Sequence, residues 1–215
     1  MIQLSANHLL YLLEAARWTI VLSLIAFVGG AVVGLPLALM RVSKSGLLRV
    51  LAGGYIQLIQ GTPLLIVLFL SYFGLGILGY KLIPLIAAGI SLTLYAAAFL
   101  GEIWRGCLQA IPKTQWEAGA SLGLSFTSQL RYIIVPQATR LAIPPTVGFL
   151  VQLIKNTSLA AVIGFIELTR EGQLTTATTF RPFTVYLTVA ALYFALCFPL
   201  TQVSRRLERR LHVAR

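Results

Sequence analysis

The 215-residue chain contains no aspartate, and its acidic residues number six: Glu14, Glu102, Glu117, Glu167, Glu171 and Glu208. Its two histidines, His8 and His212, stand near opposite ends of the chain. From so thin a supply no paired-carboxylate site, Ser/His/Asp set or metal cluster can be assembled, so an enzyme is not expected. Cysteine is equally scarce. Cys107 falls in a predicted cytoplasmic segment and Cys197 in a predicted span, which argues against a disulfide, and neither has metal-ligand company. No G-x-x-x-x-G-K-[ST] occurs, so the chain has no P-loop with which to bind ATP. Gly74-Leu75-Gly76-Ile77-Leu78-Gly79 matches G-x-G-x-x-G. It ends a membrane span, however, and the dinucleotide motif works only between a strand and a helix.

Charge of either sign is the larger shortage. Only 11% of residues are charged, where a soluble domain carries about a quarter, while 58% are hydrophobic and the mean hydropathy is +0.86. Charge-free stretches run from Trp18 to Met40, Val50 to Tyr80, Leu82 to Gly101 and Pro182 to Ser204. A further stretch, Tyr132 to Ile154, is interrupted only by Arg140. A helix crosses about 30 Å of hydrocarbon with about 20 residues, so each stretch can span. Continuous apolar runs point to helices and not to the alternating strands of a barrel. The expectation is an all-α membrane protein of about five transmembrane helices, forming one domain over residues 1–215 without a linker. The first run is too long for a signal-peptide core and follows Arg17, so it reads as a retained span.

The formal net charge of +11 invites a nucleic-acid reading, but the placement of the charge argues against it. Arg41, Lys44, Arg49, Arg105, Lys113, Arg131, Arg205, Arg206, Arg209, Arg210 and Arg215 all fall on one side of a five-span chain. Arg17, Lys81, Lys155, Arg170 and Arg181 fall on the other. The positive-inside rule makes the richer side cytoplasmic, with the N-terminus outside and the C-terminus inside. The excess charge therefore reports topology and contact with anionic lipid, with no nucleic acid involved.

Local signals add detail. Gly30-x-x-x-Gly34 permits close helix approach in the first span. The second, Val50 to Phe73, carries Gln57, Gln60 and Thr62-Pro63 and is unusually polar for lipid. Residues 105–131 form the longest cytoplasmic loop and contain a helix signal of their own. Thr114-Gln115-Trp116-Glu117 fits a capping box with Thr114 as N-cap. Gly123 is placed to end the helix in a left-handed conformation. The small residues Ala118, Gly119, Ala120 and Ser121 leave it too little apolar surface to stand alone, so it requires a partner. Pro136, Pro144 and Pro145 favour kinks or breaks in the fourth span, and residues 155–181, polar and apolar by turns, read as re-entrant.

The spacing from Glu117 onward resembles a known signature. Glu117-Ala118-Gly119, Gly123 and Ile133-Ile134-Val135-Pro136 are similar to the E-A-A-x3-G-x9-I-x-L-P element of permease subunits of ABC importers, with Gly119 and Val135 as departures. Gln60-Gly61-Thr62-Pro63-Leu64-Leu65 resembles the R-G-T-P-L-L segment of the polar-amino-acid branch of that family. Pro136-Gln137-Ala138, Pro144-Pro145, Lys155-Asn156-Thr157-Ser158-Leu159 and Glu167-Leu168 match further elements in order. The resemblance covers nearly the whole chain. Gln60 for arginine and Asn156 for aspartate remove one charge of each sign.

The resemblance implies a type I importer permease fold in which Glu117, Ala118, Gly119, Ala120 and Gly123 form a coupling helix that docks on a separate ATPase. It further implies an ATPase subunit dimer that binds the ATP, a second permease copy or paralogue, and a periplasmic substrate-binding protein. The cargo would be a polar amino acid carried across a bacterial inner membrane by alternating access, and the permease itself would hold no cofactor. A zwitterion in a low-dielectric pore needs partners for both ends, and the candidates along its path are Gln60, Thr62, Pro63, Lys155, Thr157 and Ser158. Two functions from other classes compete: a membrane-embedded enzyme, which lacks its ionisable cluster, and a passive channel or scaffold, which has no use for a docking helix.

Overall fold

A computed structural model describes residues 5–212, which leaves Arg215 of the basic tail outside it, and every regular element among these residues is helical. In chain order they are α1 (Ala6–Val42), α2 (Gly46–Gln60), α3 (Leu64–Phe69), α4 (Leu75–Ile77) and α5 (Pro84–Gln109). Then follow α6 (Lys113–Ser121), α7 (Phe126–Gln129), α8 (Val135–Asn156), α9 (Leu168–Thr179) and α10 (Pro182–His212). Wide π turns at Leu70–Gly74 and Leu130–Ile134 join α3 to α4 and α7 to α8, and a 3-10 segment, Thr157–Ile163, follows α8.

Four helical runs are long and apolar enough to cross a membrane: α1, α5, Phe126–Ile163 and α10. The fifth expected span is a bent pair. Its halves, Gly46–Gln60 and Leu64–Ile77, meet at 98°, so the continuous span expected over Val50 to Phe73 is corrected. The cause is local. Pro63 has no N–H to continue the ladder, and the end of α2 closes on itself instead. The Gly61 N–H donates to the Gln57 carbonyl at 2.8 Å, and the Thr62 hydroxyl donates to that of Leu58 at 2.7 Å.

The fourth span departs from expectation in the opposite sense. α8 runs through Pro144 and Pro145 without a break. Its irregularities lie at its two ends. The π turn Leu130–Ile134 widens the helix just ahead of Pro136, and the 3-10 segment begins after Asn156. Pro144 is buried, and its carbonyl accepts a hydrogen bond from Ser204 of α10 at 2.9 Å. α8 is thus continuous where local propensity favours a break, and α10 packs against it at that point.

α1 and α5 form the centre of the bundle. A Cβ added at Gly30 would lie 2.4 Å from that of Ala96, and one at Gly34 would lie 3.0 Å from the Ala97 carbonyl oxygen. The close approach expected of the Gly30–Gly34 pair is thus present, and only glycine permits it. α2 is tied to α5 by the Tyr55 hydroxyl on the Leu94 carbonyl at 2.9 Å, and α8 by Trp104 Nε1 on Thr146 Oγ1 at 2.9 Å. The main core joins α1, α2, α3, α5, α8 and the 3-10 segment through Leu22, Ile56, Leu68, Leu92, Leu153 and Ile163. Long apolar side chains of α1 and α10, among them Leu24, Val32, Leu187 and Phe194, face outward, as a lipid-facing surface requires.

Candidate functional site

Two regions carry the residues singled out by sequence. The first surrounds α6. Its N-cap is Pro112, and Thr114 lies inside the helix, so the capping box expected from Thr114 and Glu117 does not form. Pro112 and Lys113 start the helix one turn position too early for it. The C-terminal expectation holds. Gly123 has φ of +70°, its N–H donates to the Ala120 carbonyl at 2.9 Å, and the Leu124 N–H reaches the Gly119 carbonyl at 3.1 Å. This paired closure satisfies the last carbonyls of the helix and requires a left-handed residue.

Freed from a capping role, Glu117 points to solvent, and no hydrogen bond engages its carboxylate among the described residues. Ala118 and Ala120 are also exposed, whereas Gly119 is buried. A Cβ at Gly119 would sit 2.9 Å from Gln129 Cγ and 3.1 Å from Ile133 Cδ1. Glycine here, where the signature has an alanine-type residue, lets α6 lie directly on the α7–α8 junction. Gln129 itself is held by its amide on the Leu124 carbonyl at 2.8 Å. Trp116 stacks on Phe126 at 5.6 Å and 17°, and the Lys44 ammonium from the α1–α2 loop sits 5.3 Å from the Phe126 ring centre. Beside Glu117, Ala120 and Gly123 lies an open hollow of about 670 Å³ bordered by Lys44, Phe126 and Gln129. The result is a fixed helix that presents small side chains and one free carboxylate outward.

The second region is the set of helix interruptions. Gln60 and Pro63 are exposed at the α2–α3 bend, with Thr62 half-buried. Lys155 is exposed in the last turn of α8, and Ser158 is half-buried. Thr157 is fully buried, and its hydroxyl donates to the Ile154 carbonyl at 2.7 Å. It shapes the break from within. Lys155, placed by sequence on the outer side, is therefore part of a spanning run that extends to Ile163. The structure joins α2, α3, α8 and the 3-10 segment in one core, but the side chains of Thr62 and Thr157 bond only within their own segments.

Sequence reasoning noted Glu167 only as half of a two-residue match. It is the one acidic residue found buried among the described residues, at 0% exposure. One carboxylate oxygen accepts the Arg170 N–H at 2.9 Å, capping α9, and the other accepts the Tyr193 hydroxyl at 2.7 Å. Tyr193 Oη also lies 2.9 Å from Thr169 Oγ1, and the Leu168 N–H donates to Thr19 Oγ1 at 3.2 Å. This network ties α9 to both α1 and α10. No local pattern announces it, because Thr19 and Leu168 are 149 positions apart. Gln152, which donates to the Tyr95 hydroxyl at 3.3 Å, was missed for the same reason, although a glutamine in an apolar run is a visible signal. Glu102 and Arg105 pair as their i,i+3 spacing predicts, with Arg105 Nε on Glu102 Oε2 at 2.9 Å and Gln109 alongside.

The fold is a bundle of apolar helices with one span sharply bent and the short helix α6 exposed on the α7–α8 junction. The chain belongs to the family described as "Binding-protein-dependent transport system inner membrane component", whose profile matches residues 11–213. It is 38% identical over 187 residues to the probable amino-acid ABC transporter permease protein YckA of Bacillus subtilis, covering 87% of this chain and 83% of that protein. It is 35% identical over 204 residues to the glutamine transport system permease protein GlnP of Escherichia coli K12, covering 94% and 93% respectively. Among solved structures, that of an amino acid ABC transporter with histidines superposes with a TM-score of 0.91 at 30% identity, over 97% of this chain and all of that one. The chain therefore has the fold of type I ABC importer permeases and is a transport component of the membrane and not an enzyme. Family membership implies an ATPase and a substrate-binding protein as partners.

Proposed function

We propose that this chain, acting as one permease domain over residues 1–215, moves a polar amino acid inward across a bacterial inner membrane by alternating access. The observation that carries the reading is α6: a helix seated on the bundle through Gly119, with Glu117, Ala118 and Ala120 left free for a partner. Two permeases, this chain with a second copy or a paralogue, meet an ATPase dimer that binds the ATP. Closure of the ATPases pushes on α6, and the Gly119 contact passes the motion to α7 and α8. No nucleotide or metal is held by the permease itself. The relatives named for amino acids support the cargo class, and a periplasmic binding protein delivers it to the outer face.

Along the path, Gln60, Thr62, Pro63, Lys155 and Ser158 border the route at the two interrupted spans, while Thr157 sets the shape of the second. Backbone groups freed at such interruptions offer partners for a zwitterion. The N-terminus lies outside and the C-terminus in the cytoplasm, as the basic asymmetry supports. A reporter active only in the cytoplasm should then work when fused after Arg49 or Thr114 and stay silent after Gly79 or Gly172. The function itself is tested by purifying the chain with its co-expressed ATPase and binding protein. ATP-dependent accumulation of radiolabelled amino acids in vesicles is the expected result. An ATPase that never copurifies, together with uptake indifferent to ATP, would leave a passive channel as the better account.

A further inference from the structure

Where α1, α5 and α8 meet, at the end of the bundle nearer α6, they leave a groove of about 360 Å³. Its walls include Leu35 and Leu39 of α1, Trp104 and Leu108 of α5, and Ile143 and Val147 of α8. The side-chain hydroxyls on these walls are already engaged. Thr139 donates to the Val135 carbonyl at 2.8 Å, and Thr146 Oγ1 accepts the Trp104 Nε1–H at 2.9 Å. A polar solute would find almost no free partner there, whereas a hydrocarbon chain needs none.

The level of the groove follows from α10. The Ser204 hydroxyl meets the Pro144 carbonyl at 2.9 Å, where the charge-free run of α10 ends and Arg205 and Arg206 begin. That change from apolar to basic places Pro144 at the boundary between hydrocarbon and headgroups. Ile143 and Val147 bracket the boundary, and Arg140 stands about 6 Å beyond it by helical rise. Arg140 lies three residues before Ile143 and seven before Val147, so it shares the stripe of α8 that carries them. Helical side chains lean toward the N-terminus of their helix, which here carries the guanidinium further into the headgroup layer.

Arg140 is exposed, and no acceptor engages it among the described residues. The cations at this end of α1 and α5 are held, Arg41 on the Arg49 carbonyl at 3.4 Å and Arg105 on Glu102. A second permease copy brings few anions to this level. Its Glu102 is taken by Arg105, and Glu14, Glu167 and Glu171 lie toward the α9 junction, which leaves Glu117 and Glu208. Walls of leucine, isoleucine, valine and tryptophan also differ from the small residues through which membrane helices pair, as α1 and α5 do at Gly30 and Gly34. Lipid supplies both missing parts, a chain for the groove and an anion for the arginine.

We propose that this groove holds an acyl chain of an anionic phospholipid whose phosphate pairs with Arg140. The site is separate from the cargo route and goes beyond the importer reading.

The test uses the permease with its co-expressed ATPase, in vesicles of equal parts phosphatidylglycerol and phosphatidylcholine. A trace of one or the other lipid carries a diazirine in its acyl chain, and the residues labelled on illumination are mapped by peptide mass spectrometry. In the parent the phosphatidylglycerol probe should label Cys107 and Ile143 about fivefold more than the phosphatidylcholine probe, the advantage that one basic residue gives at an anionic surface. Val32 and Phe198, exposed elsewhere on the bundle, should be labelled alike by both. Arg140→Gln should bring the two probes level in the groove, and Arg140→Lys should keep the preference. Ala142 lines the groove, so Ala142→Phe fills it and should remove the labelling of Cys107 by either probe. Should that variant fail to assemble, the two Arg140 variants decide, since their side chain is exposed. Equal labelling of the groove by both probes in the parent, or a preference that survives Arg140→Gln, would overturn the proposal. So would a groove that neither probe reaches, as a second permease seated there would leave it.

Discussion

The α6 platform and the α9 junction are built on opposite rules. Around α6 the residues that matter are small or absent: Gly119 against Gln129, Ala118 and Ala120 facing out, Gly123 in the left-handed turn. Around α9 they are polar and enclosed: Glu167, Thr19 and Thr179 are all buried, and hydrogen bonds hold α1, α9 and α10 together. A surface proposed to meet another protein is specified by shape, because bulk on α6 would hold a partner away. A junction that must keep its form in low dielectric is specified by saturation of its polar groups, since an unpaired one costs far more there than in water. Damage should therefore register differently in the two places, as lost stability at the junction and as lost coupling at the platform.

The largest stability effect is expected at the junction. Glu167→Ala leaves the Arg170 N–H without an acceptor and removes the main acceptor of the Tyr193 hydroxyl, a loss of about 3 kcal/mol. Thermal unfolding in detergent should move down by about 5–10 °C. Tyr193→Phe should cost less, about 1–2 kcal/mol, and the double variant should lose less than the sum, because the two share one bond. Strict additivity would mean that the network is incidental.

Gly119→Leu probes the platform. Its side chain meets Gln129 and Ile133 within contact distance, so α6 must lift, at about 1–3 kcal/mol of local strain. Global unfolding should barely shift, since α6 lies outside the main core, while uptake should fall at least fivefold in vesicles. A large drop in melting temperature instead would merge the two regions into one kind. Thr157→Val comes next. The lost hydroxyl bonded the Ile154 carbonyl inside the fold, so stability should fall by about 1 kcal/mol, with uptake and ATP hydrolysis moving together. A change in uptake alone would show that the hydroxyl turns to the substrate. The smallest effect belongs to Arg17→Ala. Its pair with Glu14 at 3.4 Å is exposed on both sides, and under about 0.5 kcal/mol should be lost.

The contrast also explains what could be read in the sequence. Four of the spans, the short helix α6 and its glycine stop follow from hydropathy and backbone conformation, which are local, and each was legible. The start of α6 was misread because Pro112 and Lys113 are a competing start signal directly ahead of Thr114. The sequence favours kinks at Pro144-Pro145 and a continuous span through Pro63, yet of these it is Pro63 that breaks its helix. At Pro63 a preceding Gly61 and the Thr62 hydroxyl close the helix end, whereas α8 continues through Pro144, against which α10 packs. Glu167 was visible as a residue but not as a junction. Its partners come from α9 and α10, and only the folded chain brings Thr19 of α1 alongside.

The central claim is that α6 passes ATPase motion to the bundle through a free face and a fixed back. Glu117→Lys reverses the one exposed carboxylate on that face, and Gly123→Trp places a bulky residue where φ is +70°. The direct measurement is amino-acid uptake and binding-protein-stimulated ATP hydrolysis, followed side by side in vesicles that hold equal amounts of each permease. The account predicts that both variants remain in the membrane, that uptake falls at least tenfold and that stimulated hydrolysis drops to its basal level. Uptake at the unmodified rate in both variants would contradict it.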